Sequence, residues 1–354
     1  MKKFVLRIIL ILLPVAVIVP VVNIYVDPAH VYSYEKYERS IVSILRSNKY
    51  VTNVDLNHNE RYFKKSLIDS CQEDIDILIL GSSRVMLISN EMFHDTRILN
   101  LGVSGATYED ITALCYYYIR NKGVPHKVII GIDPQHFNEN IGDTRWTELT
   151  KEYNEYKKDI LKDSNLFPIE HKKIKNLYSL SYFQSSFKYL CKNKFRISTD
   201  RNLQTLENAD GYKVICNDGS IKYGIEYDNR SIEEIEKLSH TLEYGQWENF
   251  TDISQYEINR WRCLLDYLQS LGIEIFIQEA AYHPITYLRF LTETKYMEMI
   301  NAMDSMDKLA REYSIPILGA YNPQKYNLKS IDFYDGMHMK PTTEQLYLQP
   351  LIKQ

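Results

Sequence analysis

Short runs of Ile, Leu and Val bounded by turn residues recur in two stretches of the chain. The first holds IDILILG (Ile75 to Gly81), TRILNLG (Thr96 to Gly102) and KVIIGID (Lys127 to Asp133); the second holds IEIFIQ (Ile273 to Gln278) and IPILGAY (Ile315 to Tyr321). Continuous apolar runs of this length suit parallel strands, which are buried on both faces. Between them, Tyr108 to Lys122, Ser254 to Gly272 and Leu288 to Glu312 repeat their apolar positions at helical spacing, the second ending in Gly. The pattern predicts an α/β fold, a three-layer α/β/α sandwich on a mostly parallel sheet.

The N-terminus has another texture. Phe4 to Val26 reads FVLRIILILLPVAVIVPVVNIYV, about the 20 apolar residues that a helix needs to cross bilayer hydrocarbon. Lys2, Lys3 and Arg7 open the run and Asp27 follows it, so the positive-inside bias puts the N-terminus in the cytoplasm and the remainder outside. Pro14 and Pro20 interrupt it, which lipid-embedded helices tolerate. A cleaved secretory signal competes, but no small-x-small site precedes Asp27; a core helix of a soluble protein is the third reading. The expectation is a single-pass membrane protein with its main domain extracytoplasmic. Residues 1–27 form a transmembrane anchor, 28–70 a stalk or peripheral segment without visible chemistry, and 71–354 the main domain, with an insertion at about 138–251.

That insertion is charged and aromatic, as in KEYNEYKKDILKDSN and HKKIKNLYSLSYF. Within it YKVICNDGSIKYG (Tyr212 to Gly224) reads as a hairpin, Asn217-Asp218-Gly219 supplying positive-φ turn residues, placed as a flap over the sheet edge. The basic stretch from Lys151 to Arg196 suits a solvated helical face or contact with anionic lipid or polymer.

Composition narrows the function. The 354 residues are 45% apolar, enough for a full core, and 42 Lys+Arg against 46 Asp+Glu lack the basic excess that binding a nucleic-acid backbone requires. The 29 tyrosines suit half-buried packing as well as a sugar or acyl pocket. Cys71, Cys115, Cys191, Cys216 and Cys263 are odd in number and widely spaced, indicating neither a disulfide framework nor a metal site. No cofactor motif is read.

Two fragments carry chemistry. The strand ending at Leu80 runs into Gly81-Ser82-Ser83-Arg84, at the carboxyl edge where open α/β sheets bind ligands. A serine opening the following helix would have backbone N–H groups and the positive dipole end beside it; a helix cap made by Ser82 and Ser83 fits the fragment equally. Near the C-terminus stands Asp335-Gly336-Met337-His338. An aspartate bonded to one imidazole nitrogen fixes the tautomer and leaves the other nitrogen to take a serine proton.

The order Ser83, Asp335, His338, with a strand-G-x-S start and a terminal D-x-x-H, resembles the SGNH/GDSL hydrolase family. The resemblance implies Ser83 as nucleophile, Ser82 standing where the family has Asp. It implies an oxyanion hole from the N–H groups of Ser83 and Gly105, the latter within Asn100-Leu101-Gly102-Val103-Ser104-Gly105. The family's G-x-N-D block, which adds an asparagine donor, stands here as Gly131-Ile132-Asp133-Pro134, and an ionised carboxylate cannot donate. A replacement donor is then sought at Asn138 or Gln135. His283, in Ala281-Tyr282-His283-Pro284, is a candidate cleft residue or a packed strand-end histidine, and Ser82, Asp133 and Asn138 are further cleft candidates. The G-I-D-P form and the N-terminal run resemble the cell-envelope branch, similar to the D-alanine transfer and polysaccharide O-acetylation proteins. That implies an esterase or O-acyltransferase acting on acetyl-like esters of a cell-envelope polysaccharide beside a membrane-bound O-acyltransferase. The competing reading is a non-catalytic accessory or glycan-binding protein.

Overall fold

The computed structural model describes residues 2–27, 32, 34–54, 58–93, 95–169, 176–192, 195 and 203–352. Its strands are β1 (Tyr50–Thr52), β2 (Ile77–Leu80), β3 (Ile98–Asn100), β4 (Lys127–Gly131), β5 (Gln204–Leu206), β6 (Val214–Ile215), β7 (Ile221–Lys222), β8 (Glu274–Glu279) and β9 (Ile317–Gly319). Five of them form a sheet in the order β3-β2-β4-β8-β9, every pairing parallel. Successive side chains of a strand face opposite sides, and the packing follows that period. Ile77, Ile79, Ile129 and Phe276 point to a core closed by Val85, Ile88 and the C-terminal Leu348 and Leu351. Leu78, Leu80, Val128, Ile130, Ile275 and Ile277 point to the larger core, closed by the helices Tyr108–Lys122, Gln255–Ser270 and Met297–Glu312.

The winding order of the strands reverses at β2: β3 lies on one side of it and β4 on the other. The carboxyl ends of β2 and β4 therefore flank a topological switch point, the usual ligand crevice of such sheets. Gly81 is required there. Its φ is +147°, and a Cβ would stand 2.9 Å from the Gly131 carbonyl.

Within 28–70, expected as a stalk or peripheral piece, two described helices pack against the domain. Helix Tyr34–Leu45 puts Ile41 and Leu45 into the larger core, and helix Glu60–Ser70 adds Phe63, Leu67 and Ile68. Strand β1 joins the insertion in a second sheet, β5-β1-β6-β7. The β6–β7 hairpin forms with Val214 opposite Lys222; of its turn residues Gly219 alone has positive φ, +86°. The hairpin lies along the main sheet, Asn100 N–H donating to Asp218 O at 2.7 Å and Ile221 N–H to Met86 O at 2.9 Å.

Three expectations are corrected. A helix does run over Lys2–Val26 with Pro14 and Pro20 inside, but among the described residues no helix is long and apolar enough to cross a membrane, so the transmembrane helix is not supported. Its end is also held by polar protein contacts: the buried Asn23 amide donates to the carbonyls of Asn176, Leu177 and Ser179. The helix expected from Leu288 to Glu312 divides at Glu293, which leaves helical space (φ −94°, ψ 117°); its carboxylate there accepts from Arg289 Nε at 2.7 Å. Ser83 opens no helix. Residues 81–87 are successive turns, with Val85 N–H to Ser82 O at 3.2 Å and Met86 N–H to Ser83 O at 3.3 Å, so no helix dipole acts on this serine.

Candidate active site

The turn after β2 and the loop after β9 bring the distant fragments together. Ser83 Oγ and His338 Nε2 are 2.8 Å apart, and His338 Nδ1 meets Asp335 Oδ2 at 2.9 Å and Oδ1 at 3.0 Å. The loop is shaped for this. A Phe333–Met339 bridge closes its base, and Asp335 Oδ1 accepts the backbone N–H groups of Met337 and His338, each at 2.9 Å. Burial alone would raise the Asp335 carboxyl, but the adjacent His338 ring and these N–H donors outweigh it and bring it down to about 2. Asp335 is therefore ionised near neutrality, and the imidazole nitrogen facing it carries the proton.

Ser82 does not face the site; it is buried, and its Oγ accepts from Arg84 N–H at 3.3 Å. His283 caps the helix Pro284–Thr292 instead of lining the cleft. Its Nδ1 accepts from Ile285 N–H at 3.2 Å, the ring is fully buried, and the backbone N–H of His283 donates to Gly336 O at 3.1 Å, steadying the Asp335–His338 loop from behind. Asn138 is also turned away: its amide donates to Glu248 O at 3.1 Å and its oxygen accepts from Asn140 N–H at 3.0 Å. Gln135 is buried.

Asp133 neither donates nor stands as a bare charge. Its Oδ1 accepts from Arg84 Nη1 at 2.8 Å. Arg84 is buried and also bonds the Met337 carbonyl through Nε at 3.2 Å and the Ala280 carbonyl through Nη2, with its guanidinium 3.8 Å over the Tyr282 ring. One side chain thus ties the Ser83 turn to the ends of β4 and β8 and to the residue before His338. The sequence carried a signal for it, an arginine directly after Ser83 and an acid at the matching place after β4.

Gly105 has φ +55° and is set by residues of the supposed stalk. Glu60 accepts from Ser104 N–H at 2.7 Å and from Ser104 Oγ at 2.9 Å, while Arg61 donates to Ser104 O at 3.3 Å and holds the buried Asp110 bidentately at 2.9 and 2.8 Å. The Ser104 carbonyl and the Gly105 N–H belong to one planar peptide, so fixing the oxygen fixes the opposite N–H. Burial would raise Glu60, but His58, the Ser104 bonds and Arg61 hold it below its ordinary range, so it is ionised. Among the described residues the N–H groups of Ser83 and Gly105 meet no acceptor.

A cavity of about 470 Å³ opens at Ser83, walled by residues of 51–54 and 58–64 and by the β6–β7 hairpin. Tyr223 of the hairpin stands edge-on to the His338 ring, centroids 6.4 Å apart. Burial first, then the Asp335 charge, push its hydroxyl up, so it stays protonated. Among the described residues no group of three or more His, Cys, Asp or Glu is placed to hold a metal ion. The sequence matches no family model, and no curated protein matches it.

Proposed function

We propose that this chain is a serine esterase or acyltransferase that attacks acyl esters through Ser83. The carrying observation is the continuous relay from Ser83 Oγ through His338 to Asp335, at 2.8 and 2.9 Å. His338 Nε2 takes the hydroxyl proton as Ser83 Oγ bonds to the ester carbonyl carbon. The resulting oxyanion is received by the N–H groups of Ser83 and Gly105. The intermediate collapses with cleavage of the C–O bond, and His338 returns the proton to the departing alcohol. Water or a glycan hydroxyl then repeats the sequence on the acyl-serine, giving hydrolysis or transfer.

The accessory-protein reading rests on the Asp133 charge, and the ion pair with Arg84 answers that charge. The test is labelling of the full chain with a fluorophosphonate: an adduct at Ser83 that disappears in Ser83→Ala is expected, and its absence from the wild-type protein removes the proposal.

A further inference from the structure

The cavity at Ser83, about 470 Å³, falls within the roughly 300–1,000 Å³ of sites that enclose whole small molecules, and an acetyl group occupies little of it. Its walls are largely apolar: Val51 and Val54, Phe63, Met86 behind the serine, and Ile215 and Ile221 of the hairpin. Of its charged groups, Lys213 extends Nζ toward the Tyr223 ring, 6.0 Å from the centroid, while Lys64 and Glu60 are bonded within the protein. Lys64 Nζ donates to Asn100 O at 2.9 Å and Gly219 O at 2.6 Å, and Glu60 holds Ser104. Neither the parallel sheet nor its helices make this space. It exists because residues of 51–54 and 58–64 and the hairpin wall off the volume in front of the nucleophile.

We infer that the cavity is an acyl-chain pocket, and that the preferred ester carries an unbranched apolar acyl group several methylenes longer than acetyl. The inference rests on the serine chemistry proposed above, with the ester carbonyl at Ser83 and the chain directed between Met86 and Ile221. Moving each methylene from water to such walls favours the reaction about fourfold until the pocket is filled.

The experiment measures second-order inactivation of the full chain by alkyl fluorophosphonates of increasing chain length, each adduct mapped by mass spectrometry. The expected result is a rate constant rising about threefold to fourfold per methylene over the first several carbons, with the rise flattened in Ile221→Trp. A flat or falling profile with Ser83 still labelled overturns the acyl pocket and leaves the nucleophile standing. No Ser83 adduct with any reagent overturns the serine chemistry and the pocket with it.

Discussion

Arg84 donates to Asp133 at 2.8 Å, joining the residue after Ser83 to the position where the family resemblance implies an asparagine donor. Both side chains are almost fully excluded from solvent, 2% and 5% exposed. Burying either charge alone would cost several kcal/mol, which their pairing offsets. Asp133 is therefore part of the frame of the site.

The expected outcome for Asp133→Asn is a loss of about 3 kcal/mol in unfolding free energy, since the Arg84 guanidinium is left buried without its counter-charge, and no gain in ester turnover. Urea unfolding and an ester assay on the same preparation check this. A variant as stable as the parent and faster would show that the pair is dispensable.

Asp335→Asn tests the relay. The carboxylate takes His338 Nδ1–H and two backbone N–H groups; an amide in its place favours the wrong imidazole tautomer. Turnover should fall by about 10³–10⁴-fold, with circular dichroism unchanged. A loss below tenfold would mean that His338 does not act through Asp335.

How much of this was legible in the sequence follows from how local each cause is. Strands β2, β4 and β8 stand out because both faces of each are buried, and the Tyr108–Lys122 helix because Thr107 caps it and Gly123 ends it. The Asp335–His338 pair is three residues apart and needs no tertiary knowledge. Arg84 and Asp133 stand out singly after their strands, but their pairing was not legible because it depends on β2 lying beside β4. Glu60 and Arg61 were hidden because their segment has no sustained period and gains its role only by docking on Ser104. The Phe4–Val26 run misled in the other direction, its hydropathy saying nothing of the contacts that hold Asn23.

His283 gives a pH prediction whose sign is fixed by burial. Burial lowers this ring from its ordinary value to about 4, Glu236 and Asp335 opposing only in part. Below about pH 6.5 the unfolded chain takes up a proton there that the folded chain refuses until about pH 4, so stability falls as pH drops through that window. His283→Asn keeps an acceptor for Ile285 N–H and removes the titration. Urea unfolding at pH 7.5 and 4.5 should show the variant gaining on the parent at the lower pH by on the order of 2 kcal/mol. Equal differences at both values would exclude His283 as the source.

Glu60 offers the sharpest separation of positioning from chemistry, because it lines the Ser83 cavity yet bonds only to Ser104 among the oxyanion-loop residues. With Arg61 it grips both sides of Ser104, and so sets the direction of the Gly105 N–H. Glu60→Ala leaves Ser83, His338 and Asp335 in place but releases the Ser104 N–H and hydroxyl, so that the loop carrying the Gly105 N–H keeps only the Arg61 bond to Ser104 O at 3.3 Å on this side and shifts away from the developing oxyanion. A displacement of about 1 Å there is enough to cost up to about 10²-fold in turnover. The expected signature is a fall in kcat of about 10- to 100-fold with KM little changed, since the donor acts on the transition state more than on bound ester. Glu60→Gln, which keeps one acceptor for Ser104, should recover part of the loss. A change in KM alone would mean that Glu60 serves the cavity wall and that the Gly105 peptide holds its orientation unaided.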